Sequence, residues 1–87
     1  MANVRMYTTA WCGYCRAAKR FLAQVKGVHV QEIDITDQPE QRKALAEQTG
    51  QVTVPQIFIG ETHVGGYTEL RALDAAGGLD SLLSSEA

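Results

Sequence analysis

The sequence predicts an α/β domain, one mixed sheet with helices on its faces, in the order β-α-β-α-β-β-α-α. Three observations carry that expectation. Two apolar, β-branched runs within the first 34 residues flank a stretch with helical spacing, which makes a βαβ unit. The segment "DQPEQRKALAEQTG" has the punctuation of a second helix. The run "PQIFIGETHVGG" reverses at Gly60-Glu61 and reads as a hairpin.

Each element follows from its residues. "VRMYT" (4–8) and "VHVQEID" (28–34) are strands by their alternating or β-branched apolar residues. Between them Tyr14, Ala18, Leu22 and Val25 recur at helical spacing, and Gly27 is a stop. A βαβ unit of this length makes the two strands parallel, with a right-handed crossover. In the next helix Asp37 is expected as N-cap, Pro39 fits the first turn, and Gly50 ends it. The hairpin pairs "QIFI" with "THV". In "YTELRALDAAGGLDSLL" the leucines Leu70, Leu73, Leu79, Leu82 and Leu83 form the apolar side, and Gly77-Gly78 divides the stretch into two short helices. The tail "SSEA" is expected to fray. No repeat, linker or low-complexity tract interrupts the chain, so residues 1–87 are expected to form a single domain.

Composition narrows the partners. The chain is 45% hydrophobic and 21% charged, with a formal charge of -2, which gives no reason to expect nucleic acid or an anionic membrane. No apolar run approaches the roughly 18 residues of a membrane span. "MANVRMYTTA" is interrupted by Arg5 too early for a signal peptide. Two cysteines do not make a secreted disulfide scaffold, so a cytoplasmic protein with reduced thiols at rest is expected.

Those two cysteines, Cys12 and Cys15, carry the chemistry. In "YTTAWCGYCRAAKRFL" the strand ends near Thr8 and Cys12 falls at the helix N-terminus, where unpaired N–H groups and the macrodipole favour an anion such as a thiolate. Cys15 lies one turn on, on the same face, within reach of a disulfide formed at Cys12. Arg16 and Lys19 add positive charge on that helix. The alternatives are two small buried hydrophobes or half of a zinc site. Both are weaker: the pair falls on the first βα turn, and a zinc site would need His29 and His63, each in an expected strand.

The sequence resembles the glutaredoxins, most closely the small bacterial dithiol type, in four blocks: "YTTAWCGYC", "TVPQIFIG", "HVGGYTEL" and "LDAAGGLDSLL". The resemblance implies a thioredoxin-like fold with a four-stranded mixed sheet, glutathione as reductant, and glutathionylated or disulfide-containing proteins as substrates. It implies Cys12 as the nucleophile, Cys15 as its partner, and a cis peptide before Pro55. It also assigns glutathione contacts to Tyr14, Arg42, Val54, Pro55, Gly66, Tyr67 and Thr68: backbone pairing at Val54, a ring wall at Tyr14, and Arg42 for the glycine carboxylate. Gly65-Gly66, the helix start beyond them and Thr68 are implied for the γ-glutamyl end.

Four positions depart from the family pattern. Gly13 stands where the proline between the cysteines is usual, and Thr9 and Val52 replace two common cations. Tyr67 stands where a third cysteine is frequent, and "WCGYC" is similar to mycoredoxin-type relatives, which use another small thiol. Glutathione binding is therefore expected through backbone contacts with less charge assistance. Gly13 also admits a second function, a [2Fe–2S] cluster bridging two chains through Cys12 of each and two glutathiones; otherwise a monomer is expected.

Overall fold

The structure is a computed structural model, and it describes residues 3–85. Strand β1 (Val4–Thr8) leads to helix α1 (Gly13–Arg20), which continues as a π-helical segment, Phe21–Val25. Strand β2 (Val30–Asp34), helix α2 (Pro39–Thr49), the hairpin β3 (Gln56–Ile59) and β4 (Thr62–Gly65), and helices α3 (Tyr67–Ala75) and α4 (Gly78–Ser85) follow. The strands order as β2-β1-β3-β4. β1 and β2 are parallel, with Val4 opposite Val30, and the β1–β3 and β3–β4 pairs are antiparallel. This is the four-stranded mixed sheet of a thioredoxin-like fold.

The two faces of the sheet are filled by alternation along the strands. Val4 and Met6 of β1, with Ile57 and Ile59 of β3, pack against Ala18, Phe21, Leu22, Leu70, Leu79 and Leu83 of α1, α3 and α4. On the other face Phe58 meets Ile35 and Leu45, with Tyr7, Ile33 and Val54 at the margin. Helices on both sides explain why all four residues of β3 are buried. Lys26 ties the first face together, reaching Asp74 at 2.6 Å and Asp80 at 3.1 Å.

Element ends differ from expectation in three places. β2 starts at Val30, not at residue 28, because β1 begins to pair only at Val4. Val28 instead turns inward, its N–H bonded to the Leu22 carbonyl at 2.9 Å beyond the widened last turn of α1. The N-cap of α2 is Gln38, which makes no side-chain cap bond, with Pro39 in the first turn; Asp37 lies one residue too early to cap. Ser84 and Ser85 belong to α4 rather than to a frayed tail, while residues 86 and 87 lie outside the described residues. Gly50, at φ 76°, closes α2 in the left-handed conformation that its residue type permits.

Candidate active site

β1 delivers the chain to the edge of the sheet, and the loop after Thr8 must turn it into α1. Trp11 makes that turn at φ 67°, an uncommon value for a residue with a Cβ. The loop is anchored from β2: Ala10 N–H donates to Thr36 Oγ1 at 2.7 Å, and Thr36 is bonded through its N–H and hydroxyl to Asp34 Oδ1 at 2.9 and 2.6 Å. Those two bonds hold the Asp34 carboxyl below its ordinary value.

Cys12 is the N-cap of α1, with φ −95° and ψ 107°. Its Sγ accepts a hydrogen bond from the Cys15 N–H at 3.2 Å, one of the helix's unpaired first-turn donors. The Cys12 thiol donates to the Val54 carbonyl at 3.7 Å, a long sulfur contact that brings the 51–55 loop against the helix end. Both cysteines are free thiols: Cys12 is partly accessible, whereas Cys15 is 4% exposed. Burial, and then its hydrogen bond to Cys12, push the Cys15 thiol up to about 12. Beneath them Glu32 accepts from Lys19 at 2.8 Å and from the Thr8 hydroxyl at 3.0 Å. The Lys19 ammonium holds that carboxyl below the usual carboxylate range.

Beside Cys12 a cleft of about 210 Å³ is lined by Tyr14, Thr53, Val54, Pro55, Gly66, Tyr67, Thr68 and Glu69. The Val54–Pro55 peptide is cis. Gly66 is the N-cap of α3, and a Cβ there would stand 3.4 Å from the Pro55 carbonyl oxygen and 3.2 Å from Glu69 Oε1, so glycine lets the two walls approach. The rings of Tyr14 and Tyr67 lie 6.1 Å apart at 31° and close one side.

The structure thus brings Tyr14, Val54, Pro55, Gly66, Tyr67 and Thr68 into one cleft next to Cys12. Arg42 is not among its lining residues; it stands exposed in the first turns of α2. His29 precedes β2 on the surface, and His63 packs on Phe58 with ring centroids 4.9 Å apart. Among the described residues no group of three or more His, Cys, Asp or Glu side chains gathers as a metal site.

Three supporting residues escaped the sequence reading. Gln56, fully buried, donates through Nε2 to the carbonyls of Gln51 at 2.8 Å and Thr53 at 3.0 Å and so shapes the loop carrying Val54. Glu69 accepts from the Gly66 N–H at 2.7 Å. The Gly66-x-x-Glu69 spacing, half of a capping box, was a readable signal for it. Thr36 acts across 26 residues on Ala10, and no local pattern announces that bond.

Comparison with known proteins identifies the family and the fold. The glutaredoxin family model matches residues 4–64. The chain is 58% identical over 85 residues to a glutaredoxin of Pseudomonas aeruginosa, covering 98% of this chain and 100% of that one. It is similar to the solution structure of glutaredoxin from Brucella melitensis, at 46% identity and TM-score 0.85 over 100% of this chain and 95% of that one. It is also similar to the crystal structure of a buckwheat glutaredoxin–glutathione complex, at 32% identity and TM-score 0.88 over 97% and 78% of the two chains. With a cysteine pair at the start of α1 and a thioredoxin-like sheet beneath it, the chain belongs to the glutaredoxin family of thiol–disulfide oxidoreductases.

Proposed function

We propose that the chain is a glutathione-dependent oxidoreductase that reduces protein–glutathione mixed disulfides and protein disulfides through Cys12 and Cys15. The observation that carries this reading is the position of Cys12 Sγ, capped by the Cys15 N–H and opening beside the cleft that Val54, Gly66 and Thr68 line. Glutathione fits that cleft by its chemistry. Its peptide backbone pairs with Val54, Tyr14 and Tyr67 wall it, and its γ-glutamyl carboxylate meets the first-turn amides of α3. Gly66 N–H is already taken by Glu69, so the amides beyond it and the Thr68 hydroxyl are the donors. The glutathione complex of the buckwheat relative supports the ligand. Arg42 serves the glycine carboxylate only through its long side chain reaching over from α2.

The Cys12 thiolate attacks the glutathione sulfur of a mixed disulfide; a Cys12–glutathione disulfide forms and the substrate protein leaves as a thiolate that takes up a proton. The thiolate of a second glutathione attacks the bound glutathione sulfur, releasing oxidised glutathione and restoring the Cys12 thiolate. With a protein disulfide, the Cys12 thiolate opens it to a Cys12–substrate mixed disulfide. Cys15 then attacks the Cys12 sulfur, so that the Cys12–Cys15 disulfide forms, the substrate leaves as a dithiol, and glutathione reduces the Cys12–Cys15 disulfide. Cys15 is held protonated partly by its bond and charge interaction with Cys12. Once Cys12 is tied in a mixed disulfide those two contributions vanish, so Cys15 becomes easier to ionise when it is needed.

The test is a coupled glutathione/NADPH assay on a mixed disulfide, with mycothiol run beside glutathione. Cys12→Ser is expected to abolish exchange, and appreciable activity in it removes Cys12 as nucleophile. Cys15→Ser is expected to keep deglutathionylation while losing direct reduction of protein disulfides; loss of both would show a role other than resolving. This reading treats residues 1–87 as one domain acting as a cytoplasmic monomer.

A second reading, a [2Fe–2S] carrier, is favoured by one observation: a Cβ at Gly13 would meet nothing within 4 Å, so the space over the α1 terminus is open to a second subunit. Cys12 is the one accessible thiol of the described residues, so each chain would supply one cluster ligand and glutathione another. Visible absorbance after anaerobic reconstitution with glutathione tests it, with Gly13→Pro expected to lose the cluster and keep oxidoreductase activity.

A further inference from the structure

The cleft does not end at the tyrosine pair. Beyond it, along the junction of α1 and α3, lies a hollow of about 330 Å³ walled by Gly13, Tyr14, Ala17 and Tyr67. A second, of about 220 Å³, shares Ala17 and Tyr67 with it and ends at Arg20 and Arg71. Gly13, Ala17 and Arg20 fall on one face of α1, at i, i+4 and i+7. A groove therefore runs from the accessible thiol to two guanidinium groups.

Charge along this groove is one-sided. No carboxylate lines either hollow. Of the neighbouring cations, Lys19 is paired with Glu32, and Lys26 with Asp74 and Asp80. Arg20 and Arg71 form no ion pair among the described residues. Arg71 is nonetheless held in place: its Nη1 donates to the Tyr67 hydroxyl at 2.8 Å and its guanidinium lies 4.8 Å over the Phe21 ring. Its remaining N–H donors are left for an anion. The chain as a whole carries a net charge of -2, so this is a local excess rather than a general one.

We propose that the groove seats the extended segment of a substrate protein next to its reacting cysteine, and that Arg20 and Arg71 select an acidic side chain about four residues away. The spacing follows from geometry. Cys12 to Arg20 spans eight residues of helix, about 12 Å at ~1.5 Å per residue, which an extended chain covers in about four residues at ~3.3 Å each. The apolar wall of Tyr14 and Tyr67 tolerates varied residues between. This rests on the oxidoreductase function proposed above and names its protein substrates by their chemistry.

The test uses glutathionylated peptides identical except for Glu or Lys four residues from the modified cysteine, in one pair before it and in another after it. A small mixed disulfide of glutathione and 2-mercaptoethanol serves as control. In at least one pair the Glu peptide is expected to show kcat/KM about three- to tenfold higher at low ionic strength, the difference shrinking as salt is added. Arg20→Glu is expected to reverse the preference and Arg20→Lys to retain it, both with the small disulfide turned over at the wild-type rate. Equal rates on Glu and Lys peptides, with the small disulfide reduced normally, overturn the groove. So does a preference that survives both Arg20→Glu and Arg71→Gln. Failure of the wild type on the small disulfide would instead overturn the oxidoreductase function itself.

Discussion

The two faces of the sheet are built to different depths. Beneath α1, α3 and α4 lie Met6, Leu22, Ile57, Leu70 and Leu79, each at 0% exposure, and Lys26 bridges two of the three helices from below α1. Beneath α2 the buried cluster is Ile35, Leu45 and Phe58, and Leu45 is the one buried residue of that helix. The cleft beside Cys12 is assembled from the N-termini of α1 and α3, both on the deep face, and from the loop entering β3. The contrast teaches where rigidity is needed. A thiol that must meet a cleft at fixed distance is carried on helices that the main core holds, while α2 covers a smaller cluster that touches the cleft at Val54.

The sharpest way to break this comparison is to remove one leucine from each face. Leu70→Ala is expected to lower stability by about 3–5 kcal/mol, since a well-packed site cannot collapse around the void. That is a large share of the total for so small a domain. Leu45→Ala is expected to cost about 2–3 kcal/mol, the smaller loss, because fewer buried side chains surround it. Urea denaturation of both variants decides; equal losses would mean that α2 is as integral as α3.

A smaller effect probes the deep face through pH. The Cys15 thiol ionises near 9 when exposed and is pushed up to about 12 by burial in the fold. The unfolded chain therefore releases this proton first as pH rises. The associated stability is complete below about pH 9 and is lost through the range up to the folded value. By pH 10 the reduced protein is expected to lose about 1 kcal/mol more than Cys15→Ala does, read from denaturation midpoints of the two proteins across pH 7.5 to 10. Parallel midpoints would show that Cys15 is not shielded by the core.

The smallest change stabilises. Cys12 at φ −95° and ψ 107° already has the extended backbone that precedes proline, and Gly13 opens the helix with free space at its Cβ. Gly13→Pro is expected to add about 0.4–1 kcal/mol. A lower melting temperature in this variant would show that the start of α1 depends on the freedom of glycine.

Much of this molecule was legible before the structure because it depends on near neighbours. Gly50 in the left-handed conformation, the Gly77-Gly78 break, the reversal at Gly60-Glu61 and Cys12 at a helix start are all set by conformational preferences within a few residues. Even there Asp37 and Gln38 were exchanged as caps, because Pro39 sets the first turn and so decides which residue precedes it.

The cleft divides along the same line. The residue types were readable through the family resemblance, yet their meeting was not a local matter. Val54 reaches Cys12 across 42 residues because β3 pairs with β1 and brings the Pro55 loop to the same sheet edge. Arg42 sits at a matching sequence position but on a helix packed against the opposite face, which keeps it off the cleft wall. Gln56 and Thr36 work through bonds that exist only after the strands have registered. By itself the sequence determined the order and kind of the elements and which thiol begins a helix, since local sterics and hydrogen bonding decide those. Only the tertiary structure decided which loops face that thiol, how deeply Cys15 is buried and where the groove to Arg20 and Arg71 runs, because these depend on strand register and on which side chains the core takes in.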